Sequence, residues 1–241
     1  MTPGSGWATW GRMADGVADI EKLYQVRFSP TEQAARERIW RVLCEDFFSR
    51  YVRPTDTVVD IACGYGEFIN AIRAGRRIAL DINPDSRRHL APEVTFFNQS
   101  CERLDCLADG AVDVVFESNT LEHFPDKAVL TRVVREVHRV LAPGGRFIML
   151  QPNIRYVGGA YWDFYDHFIP LTHLSCAELV QNCGFAVDEI IPRFLPYTTK
   201  SAVPQHPLLV KLYLKVPLAW RVLGKQFLLV ARKPADHRAR G

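Results

Sequence analysis

Two sets of residues in this 241-residue chain have types and spacings suited to chemistry. The first is Asp60-Ile61-Ala62-Cys63-Gly64-Tyr65-Gly66-Glu67, with Asp81 following 17 positions after Gly64. Gly64 and Gly66 lack Cβ atoms, so a ligand can lie directly against the turn and the amide donors of a new helix. Asp81, at the end of a second strand, is placed to accept both hydrogen bonds of a ribose diol. The second set is histidine: His123, His167 and His173 titrate in a range that suits taking a proton from an attacking hydroxyl or positioning an acceptor. For each histidine, a structural hydrogen bond is the competing role.

These residues need elements to hold them. Val58, Val59 and Ile61 form the β-branched run of a buried parallel strand, and a helix carrying Ile69 and Ile72 follows the glycines. Arg76 to Asp81 is a second strand, Val94, Phe96 and Phe97 mark a third, and Val112 to Phe116 is a fourth. Glu117, Ser118 and Asn119 then fall at the carboxyl edge, where open α/β sheets bind ligands, and read as the mouth of the site. An amphipathic helix over Val129–Leu141 ends at Pro143-Gly144-Gly145, and Phe147 to Leu150 is a fifth buried strand. Residues 154–175, where aromatics alternate with acids and histidines, read as an acceptor-binding lid with Gly158-Gly159 as hinge. Ser175 with Glu178 predicts a capping box opening the next helix, which leads to a strand ending at Ile190-Ile191. Gln226 to Ala231 is the last strand, after an insertion over 192–225.

The glycine spacing also says what the ligand is not. A dinucleotide fingerprint starting at Gly64 needs glycine where Ile69 stands, and Glu67 sets negative charge against a pyrophosphate. A ribose-bearing ligand with a positive centre and no phosphate is favoured, and S-adenosylmethionine meets those conditions. Val58 to Phe68, Asp81, Val112–Phe116 with Leu121-Glu122-His123, and Leu141-Ala142-Pro143-Gly144-Gly145 together resemble a class I S-adenosylmethionine-dependent methyltransferase. The resemblance implies an α/β, Rossmann-like, doubly wound seven-stranded sheet with the last strand antiparallel and helices on both faces. It implies S-adenosylmethionine as cofactor, S-adenosylhomocysteine as product and no required metal. Cofactor contacts would come from Asp60, Ala62, Gly64, Gly66, Asp81, Ile82, Glu117 and Ser118. Ser100 stands where the family carries an acid that accepts from adenine, so the Ser100 hydroxyl or the Cys101 amide would serve the ring. Ahead of the first strand, helices over 17–54 chiefly cap the sheet, with Arg27 the better candidate than Tyr24 to close over a ligand's carboxylate.

Length and composition fit one domain over 17–234, with disordered ends at 1–16 and 235–241. A net charge of +3 argues against a nucleic-acid partner, and six cysteines without a C-x-x-C pair fit free thiols in a cytoplasmic protein. Pro207 to Leu223 reads as a helix, broken at Pro217, that shields the acceptor pocket or forms a homodimer contact; resting on a membrane surface is the less favoured role. The expected activity is methyl transfer to a small-molecule acceptor, foremost a hydroxyl of a sugar, glycolipid precursor or secondary metabolite. An N- or C-methyltransferase, a non-catalytic subunit of the same fold and a nicotinamide oxidoreductase are the alternatives.

Overall fold

The computed structural model describes residues 30–197 and 206–235. Arg27, the helix expected around it and both expected disordered ends, save Ala235, lie outside the described residues. Seven strands form one sheet in the order β3-β2-β1-β4-β5-β7-β6, with β1 Thr57–Ile61, β2 Arg76–Asp81, β3 Thr95–Asn98, β4 Val112–Ser118, β5 Leu141–Pro152, β6 Ala186–Ile191 and β7 Gln226–Arg232. The first five strands in chain order pair in parallel, and β7 runs antiparallel to both β5 and β6. Strand order reverses between β1 and β4, so the crevice at their carboxyl ends is the place for a ligand.

Side chains alternate across the sheet into two cores. Val59, Ile61, Val115 and Phe147 face α3 (Lys127–Val140) and α5 (His173–Asn182). Val58, Phe116, Ile148 and Leu228 face α1 (Pro30–Asp46) and α2 (Glu67–Ala71). Between α3 and α5 in the chain comes the short α4 (Ile154–Val157), and after β6 come α6 (Pro207–Leu214) and α7 (Pro217–Leu223).

Several boundaries differ from the sequence expectation for physical reasons. The helix before β1 stops at Asp46, because at Phe47 the backbone leaves helical geometry (φ −132°) and lets the adjacent Phe47 and Phe48 both turn inward. α2 ends one residue before Ile72, whose backbone is extended. α5 begins three residues earlier than expected: Thr172 is its N-cap and shares a reciprocal capping box with Ser175, while Glu178 takes no part. β5 extends back through Pro143-Gly144-Gly145, since Gly144 N–H donates to Lys233 O at 2.8 Å and Lys233 N–H to Gly145 O at 2.9 Å. The break expected at Pro217 is observed, with Pro217 opening α7.

α1 is seated over the glycine turn by an aromatic cluster. Phe48 makes edge contacts with Phe47, Phe68 and Phe116 at 5.4 to 5.7 Å and stacks on Trp40 at 6.1 Å. Phe48→Ala is therefore expected to cost about 3–5 kcal/mol, measured by urea unfolding; a loss below about 1 kcal/mol would show that the cluster does not seat the helix.

Candidate functional site

After β1 the chain passes through three left-handed residues: Ala62 (φ 60°), Gly64 (φ 56°) and Gly66 (φ 78°), the last being the N-cap of α2. Glycine takes this conformation freely, whereas for Ala62 it costs about 1–2 kcal/mol. A Cβ on Gly64 would meet nothing within 4 Å, so the space above the turn is open. Gly66 is favoured by its left-handed backbone, and a Cβ there would also lie 2.3 Å from Leu90 Cδ2, which would have to move aside.

Asp81 holds this turn. One of its carboxylate oxygens accepts from Gly64 N–H at 2.8 Å and the other from Asn83 N–H at 2.8 Å. Burial pushes the acid up to about 6, against the lowering effect of the Asn83 and Gly64 amides. The Ile82 amide and the Ser86 hydroxyl bear on the same carboxylate and also lower its pKa. Asn98 donates to the carbonyls of Asp81 and Ile82 at 2.9 and 3.0 Å, tying β3 to the same corner. Asn83 and Asn98 were not expected to contribute, although the Asn-Pro step after β2 signals a turn.

Other carboxylates crowd the same edge. Asp60 is raised well above the usual carboxylate range by burial, then by repulsion from Glu67 and Asp81. Glu117 is raised by burial and then by Glu122, and Gln151 donates to it. Glu117 is thus fully buried behind the rim, and of the mouth expected at Glu117-Ser118-Asn119 the half-buried Ser118 and the exposed Asn119 reach the surface. Glu67 is ion-paired with Arg36 of α1 at 2.5 Å, so its charge is balanced and weighs less against phosphate than the sequence suggested. Ser100 Oγ accepts from Glu102 N–H at 3.1 Å, and the buried Cys101 thiol is pushed up to about 12 by desolvation. Glu102 itself is paired with Arg132 at 3.1 Å.

Past β4, a 3-10 turn over Leu121–His123 brings two of the three candidate histidines together. The His123 and His167 rings lie edge to face at 4.9 Å. His123 Nδ1 is 2.9 Å from the Asp166 carbonyl oxygen, which accepts only if Nδ1 carries the proton. His123 Nε2 is then the basic nitrogen, and it stands 4.0 Å from Glu122 Oε1, to which His167 Nε2 comes within 3.9 Å. Those separations exceed the roughly 3.4 Å between donors around a tetrahedral zinc, and they suit a hydroxyl oxygen set between the three groups. His173 is engaged elsewhere: Asn153 Nδ2 approaches its Nδ1 at 2.9 Å, Tyr156 stacks on it at 6.4 Å, and burial followed by Arg155 lowers its pKa. Glu122 and Asp166 were missed as site residues; Asp166 faces His123 Nδ1 with both its backbone carbonyl, at 2.9 Å, and its carboxylate, at 3.3 Å.

The set fits a ribose-bearing cation. Open space above Gly64 admits it, Asp81 stands beside that space, and the crowded buried carboxylates are relieved by a positive charge.

Residues 59–149 match the family described as a methyltransferase domain. A demethylmenaquinone methyltransferase of Symbiobacterium thermophilum is 27% identical over 151 residues, covering 55% of this chain and 58% of that protein. A protein of Mycolicibacterium smegmatis named "probable S-adenosylmethionine-dependent methyltransferase" is 32% identical over 144 residues, covering 57% of this chain and 54% of its own length. The chain thus spans a little over half the length of these relatives. Among solved structures, a SAM-dependent methyltransferase from Archaeoglobus fulgidus superposes with a TM-score of 0.63 at 19% identity, covering 89% of this chain and all of the other.

Because burial lifts Asp81 from the model-peptide 3.8 to about 6, the folded state takes up a proton between those values that the unfolded chain does not. The contribution of this group to stability is fully present below pH about 4 and falls as pH rises toward 6. Unfolding measured at both ends of that window should show wild type gaining on Asp81→Asn by on the order of 2 kcal/mol at the acid end; a difference independent of pH would mean the carboxyl is not perturbed.

Proposed function

We propose that this chain, whose residues 59–149 match a methyltransferase domain, is a class I S-adenosylmethionine-dependent methyltransferase that methylates a hydroxyl of a small-molecule acceptor. When bound, S-adenosylmethionine supplies a methyl already activated by its sulfonium. The protein's own part is to hold, orient and deprotonate. The Gly64 turn would admit the methionine portion of the cofactor, Asp81 would accept from the ribose hydroxyls, and a cation would draw Asp60 and Glu117, raised by burial, toward their charged forms. Ser100 and the Cys101 amide face the adenine side at the end of β3.

The observation that carries the acceptor assignment is the His123 geometry. With Nδ1–H held by the Asp166 carbonyl, Nε2 offers its lone pair toward Glu122 and His167, where an acceptor hydroxyl would sit. The hydroxyl proton passes to His123 Nε2 as the oxygen attacks the methyl carbon, and His167 orients that oxygen. His173, bound to Asn153, holds the segment behind the acceptor. A sugar hydroxyl is the first acceptor to try; the name of one relative, demethylmenaquinone methyltransferase, implies methylation of a ring carbon and makes that the alternative to test beside it.

Two measurements test this reading. His123→Ala should lower the rate of S-adenosylhomocysteine release with a hydroxyl acceptor by about 100-fold or more while leaving cofactor affinity unchanged; full turnover in His123→Ala, His167→Ala and His173→Ala alike would rule out histidine base catalysis. Isothermal titration should show S-adenosylmethionine affinity falling as pH drops through about 6, where Asp81 gains its proton, with a smaller decline for S-adenosylhomocysteine, whose sulfur carries no charge. Equal declines would remove the electrostatic part of the mechanism, and no binding of either would overturn the enzyme reading.

A further inference from the structure

The small net charge of +3 hides a strong asymmetry. From Ile190 to Ala235 the chain has no Asp or Glu but eight Lys and Arg, which leaves the remainder net negative. That cationic stretch contains α6 and α7, and the same two helices carry the largest cluster of exposed aliphatic side chains among the described residues. Leu208, Leu212, Leu218 and Val222 are each 60 to 68% exposed, and Leu209, Val216 and Leu223 are 40 to 44% exposed. Single exposed leucines are ordinary, but seven large aliphatics within sixteen consecutive residues mark a surface that meets something apolar.

The exposure is not a failure of these helices to dock. Their opposite sides are fixed: Leu214 is buried, and Trp220 packs on Phe194 and Phe47 at 5.3 and 6.0 Å. Trp220 Nε1 donates to Tyr213 O at 2.8 Å, Lys211 pairs with Asp46 of α1 at 3.4 Å, and Arg193 donates to Gly224 O at 2.8 Å. The aliphatic face is therefore held outward. Interleaved with it are Lys215, Arg221 and Lys225, all exposed and in no ion pair among the described residues.

The face also adjoins the site. Because β7 runs antiparallel, its first residue Gln226, three positions after α7, lies at the carboxyl edge of the other strands, pairs with Pro152 and donates to Asn119 on the rim. On the facing segment, Phe164 meets Tyr197 at 5.9 Å, and its neighbours Trp162, Tyr165 and Phe168 are exposed.

We propose that the α6–α7 face docks on the surface of an anionic lipid bilayer. The leucines and valines enter the headgroup–acyl boundary, Lys215, Arg221 and Lys225 meet headgroup phosphates, and the catalytic crevice opens at the lipid surface. A face with several cations and no acid opposes its own copy, which disfavours a symmetric dimer. RNA is disfavoured because the exposed side chains are aliphatic rather than stacking aromatics. Docking does not depend on the methyl-transfer reading; that an acceptor reaches the crevice from the lipid rests on it. No helix of the described residues is long and apolar enough to cross a membrane, so the contact is peripheral.

The test is co-sedimentation of the full chain with vesicles of phosphatidylcholine alone or with about one-third phosphatidylglycerol. Binding is expected to be at least about tenfold tighter to the anionic vesicles and to weaken with salt. Leu212→Asp with Leu218→Asp, and separately Lys215→Glu with Arg221→Glu, should each lower vesicle binding about tenfold while thermal unfolding and S-adenosylmethionine affinity stay at wild-type values. No binding to anionic vesicles, or full binding by both double variants, overturns the proposal. So does a dimer in sedimentation velocity that Leu212→Asp with Leu218→Asp dissociates in the absence of vesicle binding, or retention of RNA by a chain that ignores vesicles. Cofactor affinity, read in the same preparations, shows separately whether the methyl-transfer reading stands.

Discussion

The carboxylate of Asp81 ties two turns together. By accepting from Gly64 N–H and Asn83 N–H it joins the ends of β1 and β2, and the chain between β1 and α2 can then keep three left-handed residues in a row of five. Without that bridge, the Ala62 conformation would have little to oppose its strain, and the open space over Gly64 would have no fixed floor. The bridge has a cost: the acid is buried, and burial disfavours its charge. α1 offsets part of it from above, through the Arg36–Glu67 pair and the aromatic cluster around Phe48.

The same logic extends along the carboxyl edge. Burial raises Asp60, Asp81 and Glu117, and neighbouring acids raise two of them further: Glu67 and Asp81 act on Asp60, Glu122 and Asp60 on Glu117. Concentrated unfavourable charge of this kind is stability given up for affinity toward a cation. The two non-glycine residues with left-handed backbone among the described residues, Ala62 and Asn119, follow β1 and β4, the strands flanking the crevice. Strain and buried charge thus fall together at the point where strand order reverses.

The insertion between β6 and β7 obeys a different balance. Its inner side chains complete the second core, as Leu214 and Trp220 do, but its outer side chains gain nothing from this chain's own fold. An element so firmly anchored need not expose aliphatics for its own stability, since polar residues would serve there. The cost of keeping them in water is understandable only if they leave it on contact with another surface.

Much of the fold was legible in the sequence because parallel strands buried on both faces read as continuous apolar runs: Val58 to Ile61, Val112 to Phe116 and Phe147 to Leu150 announce themselves. The glycine turn and Asp81 were legible too, since glycine suits the left-handed backbone at Gly66 and an acid after β2 is uncommon without a partner. Helix ends were less so: Thr172 rather than Ser175 caps α5 because the choice among neighbouring hydroxyls depends on where the preceding segment arrives. The candidate bases were equivalent in sequence, and only tertiary structure set His123 and His167 around Glu122 while giving His173 to Asn153. By itself the sequence determined the strands, the turn and the acid that clamps it, because those follow from local backbone preference and burial period. Which histidine is oriented by the Asp166 carbonyl, which acids crowd one another and which leucines remain outside was decided by long-range packing, which brings together residues that no local pattern relates.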